Sequence, residues 1–218
     1  MPDSLTMGFF IILAIVFVGW FALGTQANIR KGDTFMRWLQ AGLPLVGEKT
    51  TMRWMGSSVL EMKIAKAKPP MRTFDALAIF EPRDVIILWL ISYLQGRRDW
   101  IIFRAQLQSA PSFELELFDP NGWTTKSTER ELKKKDWTPW QTDAALGPLR
   151  AVVSGNSSAA QPIVDLITRS DFKWARVAVH RDVPNVEVHL AMPSLKIETA
   201  RKLLTQVRQI CEAARQAS

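Results

Sequence analysis

The 218-residue chain carries 28 Lys and Arg against 21 Asp and Glu, and 47% of it is hydrophobic. That apolar share excludes a disordered chain, and the single cysteine, Cys211, excludes an intrachain disulfide framework. The basic balance leaves two polyanionic partners open, anionic lipid and nucleic acid.

The first element is Met7 to Leu23, inside an uncharged run from Ser4 to Ile29. As a helix this run reaches ~39 Å, beyond the ~30 Å hydrocarbon core of a bilayer. A transmembrane helix over about 7–28 is predicted, within an anchor of residues 1–31. A secretory signal wants a basic start and a small-residue cleavage site. Pro2 to Thr6 hold no Lys or Arg and Ala22-Leu23-Gly24 is a poor site, so retention is expected. Arg30, Lys31 and Arg37 follow the run, which predicts an outside N-terminus and a cytoplasmic domain at the cell (inner) membrane.

Residues 32–56 read as a basic amphipathic juxtamembrane segment. From Asn28 to Arg72 nine basic residues stand against three acidic ones. A helix from Asp33 to Gly42 is expected, capped by Asp33 and stopped by Gly42 and Pro44. Phe35, Met36, Trp38 and Leu39 share one side, which can lie on headgroups or on the domain. Arg30, Lys31, Arg37, Trp38 and Lys133 to Lys135 (Lys133, Lys134, Lys135) are the candidate contacts to a membrane surface or polyanion.

Residues 57–122 form a first α+β unit. Strands are expected at Leu60–Ile64 and Ala76–Phe80, separated by Pro69-Pro70. Val85 to Leu94 would cover only ~15 Å, too short to span, and reads as a buried helix started by Asp84 and ended by Gly96. It is apolar nearly all round, so more than one side must be covered. Val85, Leu88 and Trp89 are the candidate interaction surface, facing the rest of the domain, the membrane or a partner chain. Trp100–Leu107 and Phe113–Leu117 alternate cleanly and are expected to pair as a hairpin, placing Arg104 opposite Glu116.

Residues 123–147 form a charged connector with Trp123, Trp137 and Trp140. A helix from Lys126 to Lys135 is expected, started by the Thr128-x-x-Glu131 capping box. Tryptophans beside lysines suit stacked bases or a proline-rich peptide, although loop tryptophans more often close a core.

Residues 148–218 repeat the first unit at a shift of 73: Pro111 falls on Pro184, Glu114 on Glu187, Leu117 on Leu190 and Pro120 on Pro193. Each unit is β–α–β–β, and the second ends in an amphipathic helix over Leu195–Gln216. Its apolar face holds Ile197, Ala200, Leu204, Val207, Cys211 and Ala214, which makes Cys211 a core residue. In the second hairpin His180 is expected opposite Glu187. That puts His180, Glu187 and His189 on the face opposite Val177, Val179, Val188 and Leu190. Two imidazoles and a carboxylate are metal-ligand types, set against the plainer reading of a polar strand face.

No phosphate loop, GxGxxG, nucleophile elbow or catalytic triad pattern occurs, and no cofactor or small-molecule substrate is inferred. The expectation is a single-pass α+β membrane protein that scaffolds or assembles others, with a protein partner or a second copy. A tethered nucleic-acid binder and a metal-dependent enzyme are the alternatives.

Overall fold

A computed structural model of the chain describes residues 4–122, 125–132, 137–140 and 146–216. Helix α1 runs without interruption over Ser4–Gln40. It is long and apolar enough to cross a membrane by length and composition, and no residue of its most apolar stretch is buried. The two helices read on either side of Lys31 are therefore one. Asp33 is an interior residue of α1, not a cap, and Gly42 has φ −104°, not the left-handed conformation. Nothing between Ile29 and Phe35 breaks a helix, so the charges mark a change of surroundings and not an end.

Helix α1 changes function along its length. Gly24, Asn28, Gly32, Phe35, Trp38 and Leu39 face inward and are buried. Spaced by three or four residues, they form one helical face that brings the lower half of α1 into the core. Trp38 is 2% exposed, and its indole N–H donates to Thr199 Oγ1 at 3.0 Å. It is thus a core residue and not a headgroup contact. Helix α2 (Leu43–Val46) follows, started by Pro44.

Strands β1 (Thr50–Trp54), β2 (Val59–Ile64) and β3 (Met71–Ile79) form a meander. Helix α3 (Ile86–Leu94) leads to β4 (Trp100–Leu107) and β5 (Glu114–Phe118). Helix α4 (Thr125–Leu132) and the short β6 (Thr138–Pro139) precede β7 (Arg150–Ser154). Helix α5 (Ser157–Thr168), β8 (Trp174–Val179), β9 (Val186–Ala191) and α6 (Ile197–Gln216) complete the chain. Among the described residues nine strands make one antiparallel sheet, in the order β1-β2-β3-β4-β9-β8-β5-β7-β6.

The order overturns the first predicted hairpin. Strands β4 and β5 are separated by the β8–β9 hairpin, which pairs with both. Phe103 lies opposite Val188 and Leu117 opposite Val177; Arg104 faces Glu187 and not Glu116. All these strands alternate apolar and polar residues alike, so local pattern cannot say which pair become neighbours. The order strand–helix–strand–strand does occur twice, as β3–α3–β4–β5 and β7–α5–β8–β9. The pairing does not: β3 lies beside β4, whereas β7 lies beside β5.

One face of the sheet holds the core. Leu60, Met62, Phe74, Phe103, Leu115, Val177 and Val188 point toward the helices α5 and α6 and the end of α1. On α6, Ala200, Leu203, Leu204, Val207, Ile210, Cys211 and Ala214 are buried, while Ile197 at its start is exposed. Arg201 and Arg208 of α6 donate to the carbonyls of Ala41 and Leu45. They satisfy groups that the ends of α1 and α2 leave without helical partners. The expected cap Thr128 instead lies inside α4, where it is buried. Thr125 stands at the start of α4, its hydroxyl donating to the Asp119 carbonyl at 2.6 Å.

Candidate membrane-facing site

Helix α3 is the largest departure from expectation. Only Ser92 of its residues is buried. Val85, Ile87, Leu88, Leu90, Ile91, Tyr93 and Leu94 are all exposed, Leu94 at 76%. The apolar composition points to a core helix, whereas the core face of the sheet is covered by α5, α6 and the end of α1. Asp84 does not cap α3. The N-cap is Val85, and the Asp84 carboxylate accepts from Ser57 Oγ at 2.6 Å. Gly96, with φ +71°, does end it, in the left-handed region that favours glycine.

The element beside α3 is α1. The Trp89 ring lies 5.5 Å from that of Trp20, and the Trp89 indole N–H donates to Glu81 Oε2 at 3.0 Å. A groove of about 350 Å³ separates the helices, lined by Phe17, Val18, Phe21, Val85, Ile86 and Ile87 among others. At Gly24 a Cβ would sit inside the Arg83 carbonyl, so only glycine allows the chain entering α3 to come this close.

A buried polar joint sits below this contact. Arg83 spans the Asp99 carboxylate with both terminal nitrogens, at 3.2 and 3.1 Å, and donates to Asn28 Oδ1 at 2.9 Å. The fully buried Asn28 donates to the Glu81 carbonyl at 3.1 Å, and Lys31 forms an ion pair with Asp99. Burial pushes the Asp99 carboxyl up, but Arg83, Lys31 and the Glu81 N–H together bring it below its ordinary range. Lys31 therefore serves the joint, whereas Arg30 and Arg37 are exposed. Arg97 and Arg98, exposed at the end of α3, add cations that the sequence reading passed over. The Arg98 guanidinium lies 4.5 Å over the Tyr93 ring. The available signal was the pairing of Arg83 before the apolar run with Asp99 after it.

The second candidate cluster lies across the outer face of the sheet. The β8–β9 register differs from expectation by two residues. Ala178 faces Glu187, and the His180 N–H donates to the Asn185 carbonyl. Asn185 causes this: its buried amide donates to the Arg181 carbonyl at 2.9 Å and its Oδ1 accepts from the Leu107 N–H. A shift of two preserves the faces, so Val177, Val179, Val188 and Leu190 are all fully buried as expected.

The three proposed ligands do not converge. His189 Nε2 lies 2.7 Å from Glu187 Oε1, but His180 Nε2 lies 3.0 Å from Glu116 Oε1. Arg176 comes between, 2.9 Å from Glu187 and 2.5 Å from Glu116, and Arg104 meets Glu187 at 2.6 Å. The result is an alternating row from Arg104 to His180 across four strands. Among the described residues no group of three His, Cys, Asp or Glu is arranged to hold a metal. Burial raises the Glu187 carboxyl, yet His189 and Arg104 outweigh it and bring it down to about 2.

Trp137 lies 5.7 Å from the His180 ring and Trp140 packs against the core. Trp123 and the candidate contacts Lys133, Lys134 and Lys135 lie outside the described residues. No known protein family and no curated protein matches the chain.

Proposed function

We propose that this is a single-pass membrane protein whose α+β domain, on the cytoplasmic side, serves as a non-catalytic scaffold or assembly subunit. The observation that carries the reading is the continuity of α1. Its apolar half is exposed, and its other half, from Gly24 to Leu39, is built into the domain core. A domain joined to its span by an unbroken helix and a buried ion-pair joint cannot swing on a linker. It holds one orientation to the bilayer, which suits ordering partners and not reaching for diffusing substrates.

Two further features support the reading. Removal of residues up to Leu23 would leave Gly24 and Asn28 as a raw end inside the joint, which favours an anchor over a cleaved signal. Arg30, Arg37, Arg97 and Arg98 are exposed basic residues near the domain side of the span, which favours the cytoplasmic side and contact with anionic headgroups. The histidines and carboxylates of the outer sheet face are engaged with arginines and one another, in keeping with a structural row. Purification of the full chain in mild detergent at native expression levels, followed by mass spectrometry, tests the proposal. Stable co-purifying chains or a defined homo-oligomer are expected; recovery as a lone monomer overturns it.

A further inference from the structure

We propose that α3 is a second membrane-inserted element, lying among the acyl chains of the leaflet on the domain side, beside α1. This rests on the reading of α1 as a membrane span, and it adds a lipid contact made by the folded domain itself.

The argument begins with depth. From Gly24 to Phe17, α1 rises ~10 Å. Over that rise α3 is its neighbour, through the Arg83 carbonyl at Gly24, the Trp20–Trp89 contact, and the groove that reaches Phe17. Phe17 and Phe21 are exposed apolar residues in the middle of the uncharged run. If they stand in hydrocarbon, a helix packed beside them stands there too.

The path of the chain agrees. Arg83 and Asp99 bridge each other, and the same two residues bind Asn28 and Lys31 of α1. The excursion over 84–98 thus leaves and returns at one level, where α1 acquires its first charges. Both charged ends stay at that level and the apolar helix projects beyond it. From Trp89 onward, where the N–H donates to the Val85 carbonyl, the helical backbone satisfies its own hydrogen bonds as insertion demands, and the exposed arginines Arg97 and Arg98 close the excursion where phosphates would lie. The groove beside Phe17 and Val85 is apolar apart from Asp84 at one edge, whose carboxylate accepts from Ser57, and at about 350 Å³ it gives an acyl chain room to lie. A water-soluble partner protein would have to reach this groove from inside the bilayer. That geometry selects lipid over a water-soluble protein as the occupant.

The test uses the full chain in vesicles of phosphatidylcholine and phosphatidylglycerol. Leu90→Cys, Val16→Cys and Thr51→Cys are each labelled with an environment-sensitive fluorophore. Cys211 is fully buried and does not compete for label under native conditions. With acyl-brominated phosphatidylcholine, the probes at Val16 and Leu90 should both lose emission to a similar extent, since both stand at the level of the hydrocarbon. The probe at Thr51, exposed on β1, should lose none. Quenching at Val16 without quenching at Leu90 overturns the insertion of α3 while leaving the anchor intact. Protection of Leu90→Cys from a water-soluble maleimide without quenching means a protein covers α3, and overturns the lipid assignment. Absence of quenching at Val16 removes the anchor reading itself.

Discussion

Single residues in this protein are held by charge where they are polar and by exclusion of water where they are not. Glu187 illustrates the first. Its carboxyl lies at about 2 in the folded protein against an ordinary 4.5. A depressed carboxylate stabilises the fold fully above its unfolded pKa, and that contribution fades as pH falls from 4.5 toward 2. Glu187→Gln should therefore cost up to ~3 kcal/mol at neutral pH, with the difference from the parent narrowing below pH 4.5. Chemical unfolding of both forms across pH 2–7 checks this, and a constant difference would contradict it. Cys211 illustrates the second. Its thiol is fully buried, and burial pushes its pKa up to about 12. A thiol reagent should leave the native protein unmodified over hours and react with one equivalent after denaturation.

At the scale of elements, the joint between α1 and the β3–α3–β4 connection carries the most consequence. Asp99 accepts from Arg83, Lys31 and the Glu81 N–H, and it is 5% exposed. Asp99→Asn leaves Arg83 with the Glu81 carboxylate 3.6 Å away and the 39%-exposed Lys31 facing a neutral amide, at a cost of ~1–3 kcal/mol. Gly24→Val forces a branched side chain into the Arg83 carbonyl, and the backbone must move apart at a cost of ~1–3 kcal/mol or more. Both should lower the thermal midpoint of the detergent-solubilised protein. Gly19→Val, five residues nearer the start of α1 with open space around it, should leave that midpoint unchanged. Equal effects at Gly19 and Gly24 would mean that helix propensity, and not the close approach, decides.

For the whole molecule, orientation is the quantity to measure. A reporter active only in the cytoplasm, fused after Ser218, should be active, and one requiring export should be silent. Neutralising Arg97 and Arg98 along with Arg30 and Arg37 should weaken this bias more than neutralising the α1 pair alone, because all four are exposed beyond the same end of the apolar stretch of α1. The opposite reporter result would reverse both the sidedness and the placement of headgroups at these arginines.

Local sequence carries whatever depends on neighbours in the chain. The long apolar N-terminal helix, the strand–helix–strand–strand order, the long C-terminal helix and the alternation that buries Val177, Val179, Val188 and Leu190 were all legible from periodicity. It did not show that α1 continues to Gln40, because Trp38 and Phe35 fit a membrane surface and a core equally well until Thr199 is known to lie opposite. Strand order was decided only in three dimensions. Arg104 and Glu116 are on the same face, yet two strands stand between them, and Arg176 is the link that no local pattern names. The candidate site has the same origin. An apolar helix of nine residues reads as core in one dimension, and only the filling of the core by α5 and α6, with α3 pinned beside α1, leaves it outside. Periodicity reports which face of an element avoids water; which neighbour then covers that face depends on contacts between distant segments, and those exist only in the folded chain.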